Sequence, residues 1–168
     1  MREGKGDIWS HKTEDNWIVI STNGFVKFNG EAVMGRGIAH QATQKYSGIA
    51  LELGTKIREE GNIVHELSNG LISFPVKGVR EVNNGTNVVS HWVDKVKIGA
   101  TVPGWMCKAR VDLIKKSAKQ LVELADKQAM EEIVMPRVGC GFGELDWETT
   151  IRPIMEKILD QRFLVLTY

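Results

Sequence analysis

The sequence predicts an α/β fold with a mixed central sheet that is covered by helices on both sides. Short apolar runs rich in β-branched residues alternate with longer amphipathic runs, the pattern of strands alternating with helices. Two glycine-rich loops each follow a predicted strand and precede a predicted helix. The 168 residues, 42% apolar and 26% charged, have the size and composition of one globular unit with a sizeable core.

The N-terminal half contains the strongest strand signal. Residues 16–21 form a continuous apolar run, typical of a central strand buried on both faces. Asn69-Gly70 separates two further apolar runs and is a strong hairpin signal. The other elements predicted here are a turn or strand end at 6–9, helices at about 35–47 and 49–60, and strands at 63–67 and 71–75.

The C-terminal half contains the clearest amphipathic helix, over residues 109–128, with lysines on its polar face. Pro153 lies early in a later helical run. Either Thr149 or Thr150 caps that helix and Pro153 occupies its first turn, or the helix kinks at Pro153. Asp146 is an alternative cap for the same helix. The other elements predicted here are a strand at 132–135, a helix at about 147–159 and a strand at 163–168.

The two glycine-rich loops are candidate ligand sites. Residues 136–143 carry glycines at alternate positions between a strand and a helix, and residues 28–39 form a similar loop earlier in the chain. Such loops present free main-chain N–H groups to a phosphate, although the glycines are also compatible with tight turns alone. Neither G-x-G-x-x-G nor a GKS/GKT loop is present at 136–143. Because both loops follow strands, they should rim one crevice beyond the carboxyl ends of the sheet.

Composition argues against several classes of protein. The net charge is +1, and the two cysteines form no CxxC pair, so neither a general polyanion binder nor a disulfide scaffold is indicated. The four histidines lack metal-ligand spacing, so we expect no metal site and no cofactor. No apolar run is long enough to span a bilayer, and the N-terminus lacks the apolar core of a secretion signal. We therefore expect a cytoplasmic monomer.

Four motifs together resemble the macrodomain family. They are Gly6-Asp7-Ile8-Trp9, Val33-Met34-Gly35-Arg36-Gly37-Ile38-Ala39, Phe74-Pro75-Val76-Lys77 and Pro136-Arg137-Val138-Gly139-Cys140-Gly141-Phe142-Gly143-Glu144-Leu145-Asp146-Trp147. The resemblance is greatest to the branch of terminal ADP-ribose protein glycohydrolase and the DNA ADP-ribosyl glycohydrolase antitoxins. It implies one three-layer α/β/α macrodomain over 1–168, with an inserted flap at about 78–108.

The resemblance also implies an ADP-ribose pocket. Asp7 would accept a hydrogen bond from the adenine amino group, with Ile8 and Tyr168 near the base. The first glycine loop would surround the distal ribose and diphosphate, and the second would donate N–H groups to the diphosphate. The remaining residues implied are Asn23 and Asn29 near the distal ribose, Met34, Gly35, Gly37 and Ile38 in the first loop, and Val138, Gly139, Cys140, Gly141, Phe142 and Gly143 in the second.

Lys77 is the candidate catalytic residue, because it matches the lysine that attacks or polarises the anomeric carbon in that branch. A lysine is nucleophilic only when burial or a neighbouring cation lowers its pKa, and Lys77 is also compatible with a solvated strand end. Terminal ADP-ribose protein glycohydrolase has an aspartate where this chain has Gly143. We expect Cys140 to pack beneath the loop. The resemblance therefore implies a glycohydrolase that removes ADP-ribose from a modified macromolecule, either a protein or a nucleic acid. The alternatives are a non-catalytic ADP-ribose reader and a phosphatase acting on ADP-ribose 1″-phosphate.

The segment 77–119 holds nine basic and three acidic residues, with Trp92 and Trp105 among them. Basic groups interleaved with aromatic rings suit single-stranded nucleic acid, through phosphate contacts and base stacking. The same residues are compatible with a solvated lysine face on a helix and two core tryptophans. Within this segment, residues 78–108 read as an extended flap with some β structure, and loops of this length are usually functional or mobile.

Overall fold

A computed structural model describes all residues from 1 to 168, and it has the predicted α/β fold. Six strands form one mixed sheet, two form a separate hairpin, and helices flank the sheet. In chain order the elements are β1 Arg2–Lys5, β2 Trp17–Thr22, α1 Gly37–Lys45, α2 Ile49–Glu60, β3 His65–Leu67, β4 Leu71–Pro75, β5 Arg80–Val82, β6 Thr101–Pro103, α3 Val111–Lys127, β7 Ile133–Pro136, α4 Arg152–Ile158 and β8 Phe163–Thr167.

The large sheet has the order β1-β8-β7-β2-β4-β3. Every neighbouring pair is parallel except β3 and β4, which form the hairpin that Asn69-Gly70 predicted. Asn69 and Gly70 both have positive φ, at 64° and 68°, which is the backbone geometry of a tight hairpin turn. The five parallel strands therefore end at one edge of the sheet.

Alternate residues of the central strands pack on opposite faces of the sheet, as the side-chain period of a strand requires. Ile18 and Ile20 of β2 belong to a buried cluster with α1 and α2, which contribute Ala42 and Leu53. Val19 belongs instead to a second cluster that includes α3 and α4. The continuous apolar run at 16–21 was thus correctly interpreted as a strand buried on both faces.

The segment between β4 and α3 forms the flap. Its β5 and β6 pair antiparallel, with Arg80 opposite Pro103 and Val82 opposite Thr101. A small cluster of Val88, Val102 and Cys107 stabilises it, separate from the two clusters that flank the sheet. The prediction of an extended flap with some β structure is confirmed.

Two local predictions were incomplete or wrong. Strand β1 was not predicted, because its four residues are mostly polar and it lies at the sheet edge, paired only with β8. The last helix begins with a π-helical turn at Trp147–Ile151, and its cap is Asp146, which confirms the alternative and not the expectation of Thr149 or Thr150. The Asp146 carboxylate accepts the main-chain N–H of Thr149 at 2.7 Å, which leaves the threonines inside the helix.

None of the helices has both the length and the apolar character needed to cross a bilayer. Nowhere do three or more histidine, cysteine, aspartate or glutamate side chains gather in a way that could hold a metal ion.

Candidate functional site

A cavity of about 970 Å³ lies at the edge where the parallel strands end. Residues at the ends of four of these strands, Thr22, Val76, Pro136 and Thr167, line it, as does Gly6 just after β1. Both glycine loops also line it, so the expectation that they rim one crevice is confirmed. This position follows the general rule that open α/β sheets bind ligands beyond the carboxyl ends of their strands.

The second glycine loop combines two packed glycines with an open one. Gly139 has φ of 76°, and a β-carbon there would lie 2.6 Å from the Cδ1 atom of Ile114. A β-carbon on Gly143 would clash with the carbonyl oxygen of Gly139 and lie 2.6 Å from the β-carbon of Ala109. Gly141, by contrast, has no atom within 4 Å of that position. The loop therefore packs on Ile114 of α3 at one end and on Ala109, just before α3, at the other, and leaves its middle open.

Main-chain N–H groups of both loops lack partners within the protein. Those of 141, 142 and 143 donate no hydrogen bond, and neither do those of 35 to 38 in the first loop. Arg36, the residue before α1, offers no capping side chain. Unpaired N–H groups in a glycine loop and at a helix start form a favourable site for an anion.

The two loops meet across the cavity. The guanidinium carbon of Arg36 lies 5.2 Å from the ring centroid of Phe142, a cation–π contact. Gly37, with φ of 59°, brings the start of α1 against the same ring, because a β-carbon there would be 3.6 Å from it. Neither the contact nor the role of Arg36 was predicted, since the two residues lie more than 100 positions apart.

Lys77 is 9% exposed and lines the cavity. Its amine donates to the main-chain carbonyls of Phe142 at 3.1 Å and of Trp105 at 3.4 Å, and so links β4 to the second glycine loop and to the flap. Burial lowers the pKa of Lys77 below its ordinary value of 10.5, with Arg36 contributing in the same direction and Cys107 and Glu144 opposing it. The interpretation of Lys77 as a solvated strand-end lysine is wrong.

Two carboxylates, Glu144 and Asp146, line the cavity, and each has partners within the protein. Glu144 accepts the main-chain N–H of Ser90 at 2.8 Å and its hydroxyl at 3.2 Å, which ties the second loop to the flap. Asp146 caps the following helix through Thr149, which lowers the pKa of Asp146 below its ordinary value. Neither carboxylate stands at position 143, where the resemblance leads one to expect an acid.

Cys140 lines the cavity but is poorly suited to act as a nucleophile. Its thiol is half-buried and lies 3.4 Å from the carbonyl oxygen of Val138. Burial raises its pKa to about 11, so the thiolate is scarce at neutral pH. These features favour the packing role expected from the sequence.

The end of the cavity beside β1 and β8, away from Lys77, is formed by Gly6, Ile8, Leu166 and Tyr168. Ile8 is buried and Tyr168 is exposed, and both line the cavity as the resemblance implies. Asp7 lies just outside the lining, where one carboxylate oxygen accepts the main-chain N–H of Trp9 at 3.0 Å. Its second oxygen forms no hydrogen bond within the protein.

The structure separates the two asparagines assigned to the distal ribose. Asn23 is buried and lines the cavity, and its side chain donates to the Val33 carbonyl at 2.9 Å, which positions the first loop. Asn29 is exposed in a turn away from the lining, where it accepts the main-chain N–H of Glu31 at 3.0 Å. Its assignment to the cavity is corrected, because an asparagine that closes a turn resembles a ligand-binding asparagine in sequence.

Of the other residues implied by the resemblance, all but one lie along the cavity. Those that line it are Met34, Gly35, Gly37, Ile38, Gly139, Cys140, Gly141, Phe142 and Gly143. Val138 is the exception, because it is fully buried and packs with α3 and α4.

The flap forms one wall of the cavity, a position that was not predicted from the sequence. Trp92 and Trp105 are half-buried and line the cavity, with their rings edge to face at 5.5 Å. They are therefore not core tryptophans. Among the basic residues of 77–119, only Lys77 lines the cavity. The ammonium of Lys95 lies over the ring of Trp92. The lysines of α3 at 115, 116 and 119 are exposed.

Solved structures with the same fold include several macrodomains. The macrodomain of Mycobacterium tuberculosis DarG has a TM-score of 0.68 at 17% identity, covering 99% of this chain and 97% of that one. The macrodomain of Thermus aquaticus DarG has a TM-score of 0.65 at 18% identity, with the same coverage. Thermosipho africanus DarTG, solved in complex with ADP-ribose, has a TM-score of 0.64 at 16% identity, covering 96% of this chain and 39% of that one.

No curated protein sequence matches the chain. The structural neighbours are too distant in sequence to show more than the fold. The model of the Macro domain family, however, matches residues 28–154. Because that match covers most of the chain, and the structure has the same fold as solved macrodomains, the chain belongs to the macrodomain family.

Proposed function

We propose that this macrodomain binds ADP-ribose and hydrolyses the bond between its distal ribose and a modified macromolecule. The observation that carries the proposal is the position of Lys77. Its amine is buried at the cavity wall, held by two main-chain carbonyls, and its pKa is lowered by that burial. These are the conditions under which a lysine becomes a nucleophile.

Binding of ADP-ribose is supported by the geometry of the loops. The unpaired N–H groups at 35–38 and 141–143 would hold the two phosphates between them. This requires no excess of basic side chains, in keeping with a net charge of +1. The distal ribose would then lie towards Lys77 and the adenine towards Ile8 and Tyr168, as in the assignment from the family motifs. The ADP-ribose complex of the Thermosipho africanus protein, which shares the fold, also supports this ligand.

The proposed chemistry uses the neutral amine of Lys77. A neutral amine has two N–H groups, which its two carbonyl partners would occupy, and one lone pair, which remains free. The nitrogen would attack the anomeric carbon of the distal ribose while the bond from that carbon to the macromolecule breaks. The proton released from nitrogen passes to the leaving group, and water then displaces the sugar and regenerates the amine.

The flap suggests where the macromolecule would lie. Trp92, Trp105 and His91 line the cavity on the side of Lys77, and aromatic faces suit a planar group such as a nucleic acid base. Only one of the basic residues of 77–119 lines the cavity, so phosphate contacts by the others would have to form outside it.

A specific observation favours a second candidate, a reader that binds ADP-ribose without hydrolysing it. Glu144 and Asp146, the carboxylates nearest the second loop, are held by Ser90 and Thr149, and position 143 is glycine. A leaving group would therefore lack the carboxylic acid that the resemblance implies at position 143. A poor leaving group would then remain attached.

Calorimetric titration tests binding, with ADP-ribose as ligand and ADP and AMP as controls. We expect ADP-ribose to bind at least about tenfold more tightly than ADP, the equivalent of about 1.4 kcal/mol from contacts with the distal ribose. Equal affinity for all three ligands would contradict the proposed site.

Release of ADP-ribose from modified protein and from modified single-stranded DNA tests hydrolysis. We expect Lys77→Met to reduce release by on the order of 10²-fold or more, because it removes the reacting group and keeps a chain of similar length. Lys119→Met is the matched control, since Lys119 is exposed on α3 and has no hydrogen-bond partner. Tight binding with no release from either substrate would favour the reader, and phosphate release from ADP-ribose 1″-phosphate would identify a phosphatase.

A further inference from the structure

We infer that Gln41 reads the base of the bound nucleotide, donating from its carboxamide NH₂ group to a ring nitrogen of adenine. The inference rests on the proposed function only in requiring that ADP-ribose binds. Gln41 lies in α1, is partly buried, and lines the same cavity as Ile8 and Tyr168. No family motif in the sequence includes it.

The orientation of this carboxamide is fixed by a partner that can only donate. The indole N–H of Trp9 lies 2.8 Å from the Gln41 oxygen, and an indole nitrogen has no lone pair to offer. The carboxamide atom facing Trp9 must therefore be the oxygen. The hydroxyl of Tyr168 lies 3.5 Å from the same oxygen.

The other end of the carboxamide is left free. The Gln41 nitrogen carries two N–H donors, and neither has a hydrogen-bond partner within the protein. Trp9 is itself held in place, with the ammonium of Lys45 5.3 Å from the centroid of its ring and the Tyr46 ring 6.2 Å away. The result is an unused donor on a side chain that lines the cavity.

The surroundings of Gln41 suit a purine. Ile8 and Leu166 provide buried apolar surface, and Tyr168 provides an exposed aromatic ring. If the diphosphate lies between the glycine loops and the distal ribose lies near Lys77, the base falls at this end. Ring nitrogens of adenine accept hydrogen bonds, and a glutamine side chain is a recognised partner for adenine.

Two substitutions at this position separate the donor from the rest of the side chain. Gln41→Glu keeps the size of the side chain and an oxygen facing Trp9, but replaces the NH₂ group with a second oxygen. Gln41→Met keeps the approximate size without adding charge. We expect each to weaken ADP-ribose binding about tenfold by calorimetry, the scale of one lost hydrogen bond.

Gln44→Glu is the matched control for charge, because Gln44 is exposed on the same helix and forms no hydrogen bond. We expect its affinity to remain within about twofold of that of the original chain. A loss in Gln41→Glu but not in Gln41→Met would mean that charge alone weakens binding, and would overturn the inference. Melting curves of all variants establish that the compared proteins are folded.

A double-mutant cycle tests the link to Trp9. Trp9→Phe keeps an aromatic ring but removes the N–H, so we expect it to weaken binding by disordering the carboxamide. It should have no further effect when Gln41 is already methionine, because Trp9 acts through Gln41. Additive losses would overturn the inference. Failure of the original chain to bind ADP-ribose would instead remove the proposed function and this inference together, whereas binding that is unchanged in Gln41→Met would remove only this inference.

Discussion

The buried amine of Lys77 donates to the main-chain carbonyl of Phe142 at 3.1 Å. This hydrogen bond joins the end of β4 to the second glycine loop across 65 positions of sequence. The amine of Lys77 lies where burial favours its neutral form. Because the same amine holds the Phe142 carbonyl, the position of the second glycine loop depends on Lys77.

The contribution of Lys77 to stability should increase with pH. Burial lowers the pKa of Lys77 in the folded protein, so between that pKa and 10.5 the unfolded chain binds more protons than the folded one. The free energy of unfolding of the original chain, minus that of Lys77→Met, should therefore rise with pH across this window and level off above 10.5. Urea denaturation at several pH values from 7 upward measures the difference.

Lys119→Met provides the baseline for this experiment. Lys119 is exposed on α3, so removing its charge should change stability by a similar small amount at every pH. A difference for Lys77→Met that stays flat with pH, like that of the control, would mean that Lys77 keeps its ordinary pKa. The proposed nucleophile would then lack its physical basis.

Gly143→Asp should destabilise the fold and not install a catalytic acid. A β-carbon at this position would clash with the carbonyl oxygen of Gly139 and crowd Ala109, both of which are buried. Overpacking of this kind costs about 1–3 kcal/mol. Chemical denaturation should show that loss, and release of ADP-ribose should not increase.

Gly141→Asp is the matched substitution two positions earlier. Open space surrounds the β-carbon position there, so we expect stability to change by no more than about 0.5 kcal/mol. The new carboxylate would instead lie beside the N–H groups proposed to hold the diphosphate, and ADP-ribose binding should weaken. Unchanged binding would argue against the second loop as the phosphate site.

The sequence predicted the sheet and the loops because both depend on local patterns. The apolar run at 16–21 and the alternating glycines at 139, 141 and 143 are visible without any knowledge of contacts. The flap wall was not predictable, since Ser90 meets Glu144 and Trp92 meets Trp105 only after the chain has folded. The assignment of Asn29 to the cavity was misled by a local pattern, because an asparagine that closes a turn resembles a ligand-binding asparagine in sequence.

Glu144→Ala should loosen the flap. The carboxylate of Glu144 accepts both the main-chain N–H and the hydroxyl of Ser90, and these are the hydrogen bonds between this side chain and the flap. Their loss would leave the Ser90 amide without its hydrogen-bond acceptor, and we expect its hydrogen exchange to accelerate about fivefold, the equivalent of about 1 kcal/mol. Hydrogen exchange resolved to the segment around Ser90 provides the measurement.

Glu123→Ala is the control for this comparison, because Glu123 is exposed on α3 and has no partner. Exchange around Ser90 should be the same in that variant as in the original chain. If Glu144→Ala also left exchange unchanged, the flap would be held by its own cluster and by Lys77, and Glu144 would have no part in positioning it.

Asp146 lines the cavity, and its variants should reveal a structural cap and not a catalytic acid. Its carboxylate accepts the N–H and, at 2.6 Å, the hydroxyl of Thr149. Asparagine caps helices about as well as aspartate, whereas alanine does not. Asp146→Asn should therefore keep both the melting temperature and the release of ADP-ribose, while Asp146→Ala should lower the melting temperature. Loss of release in a stably folded Asp146→Asn protein would reverse this assignment, because amidation removes the ionisable proton and preserves the cap.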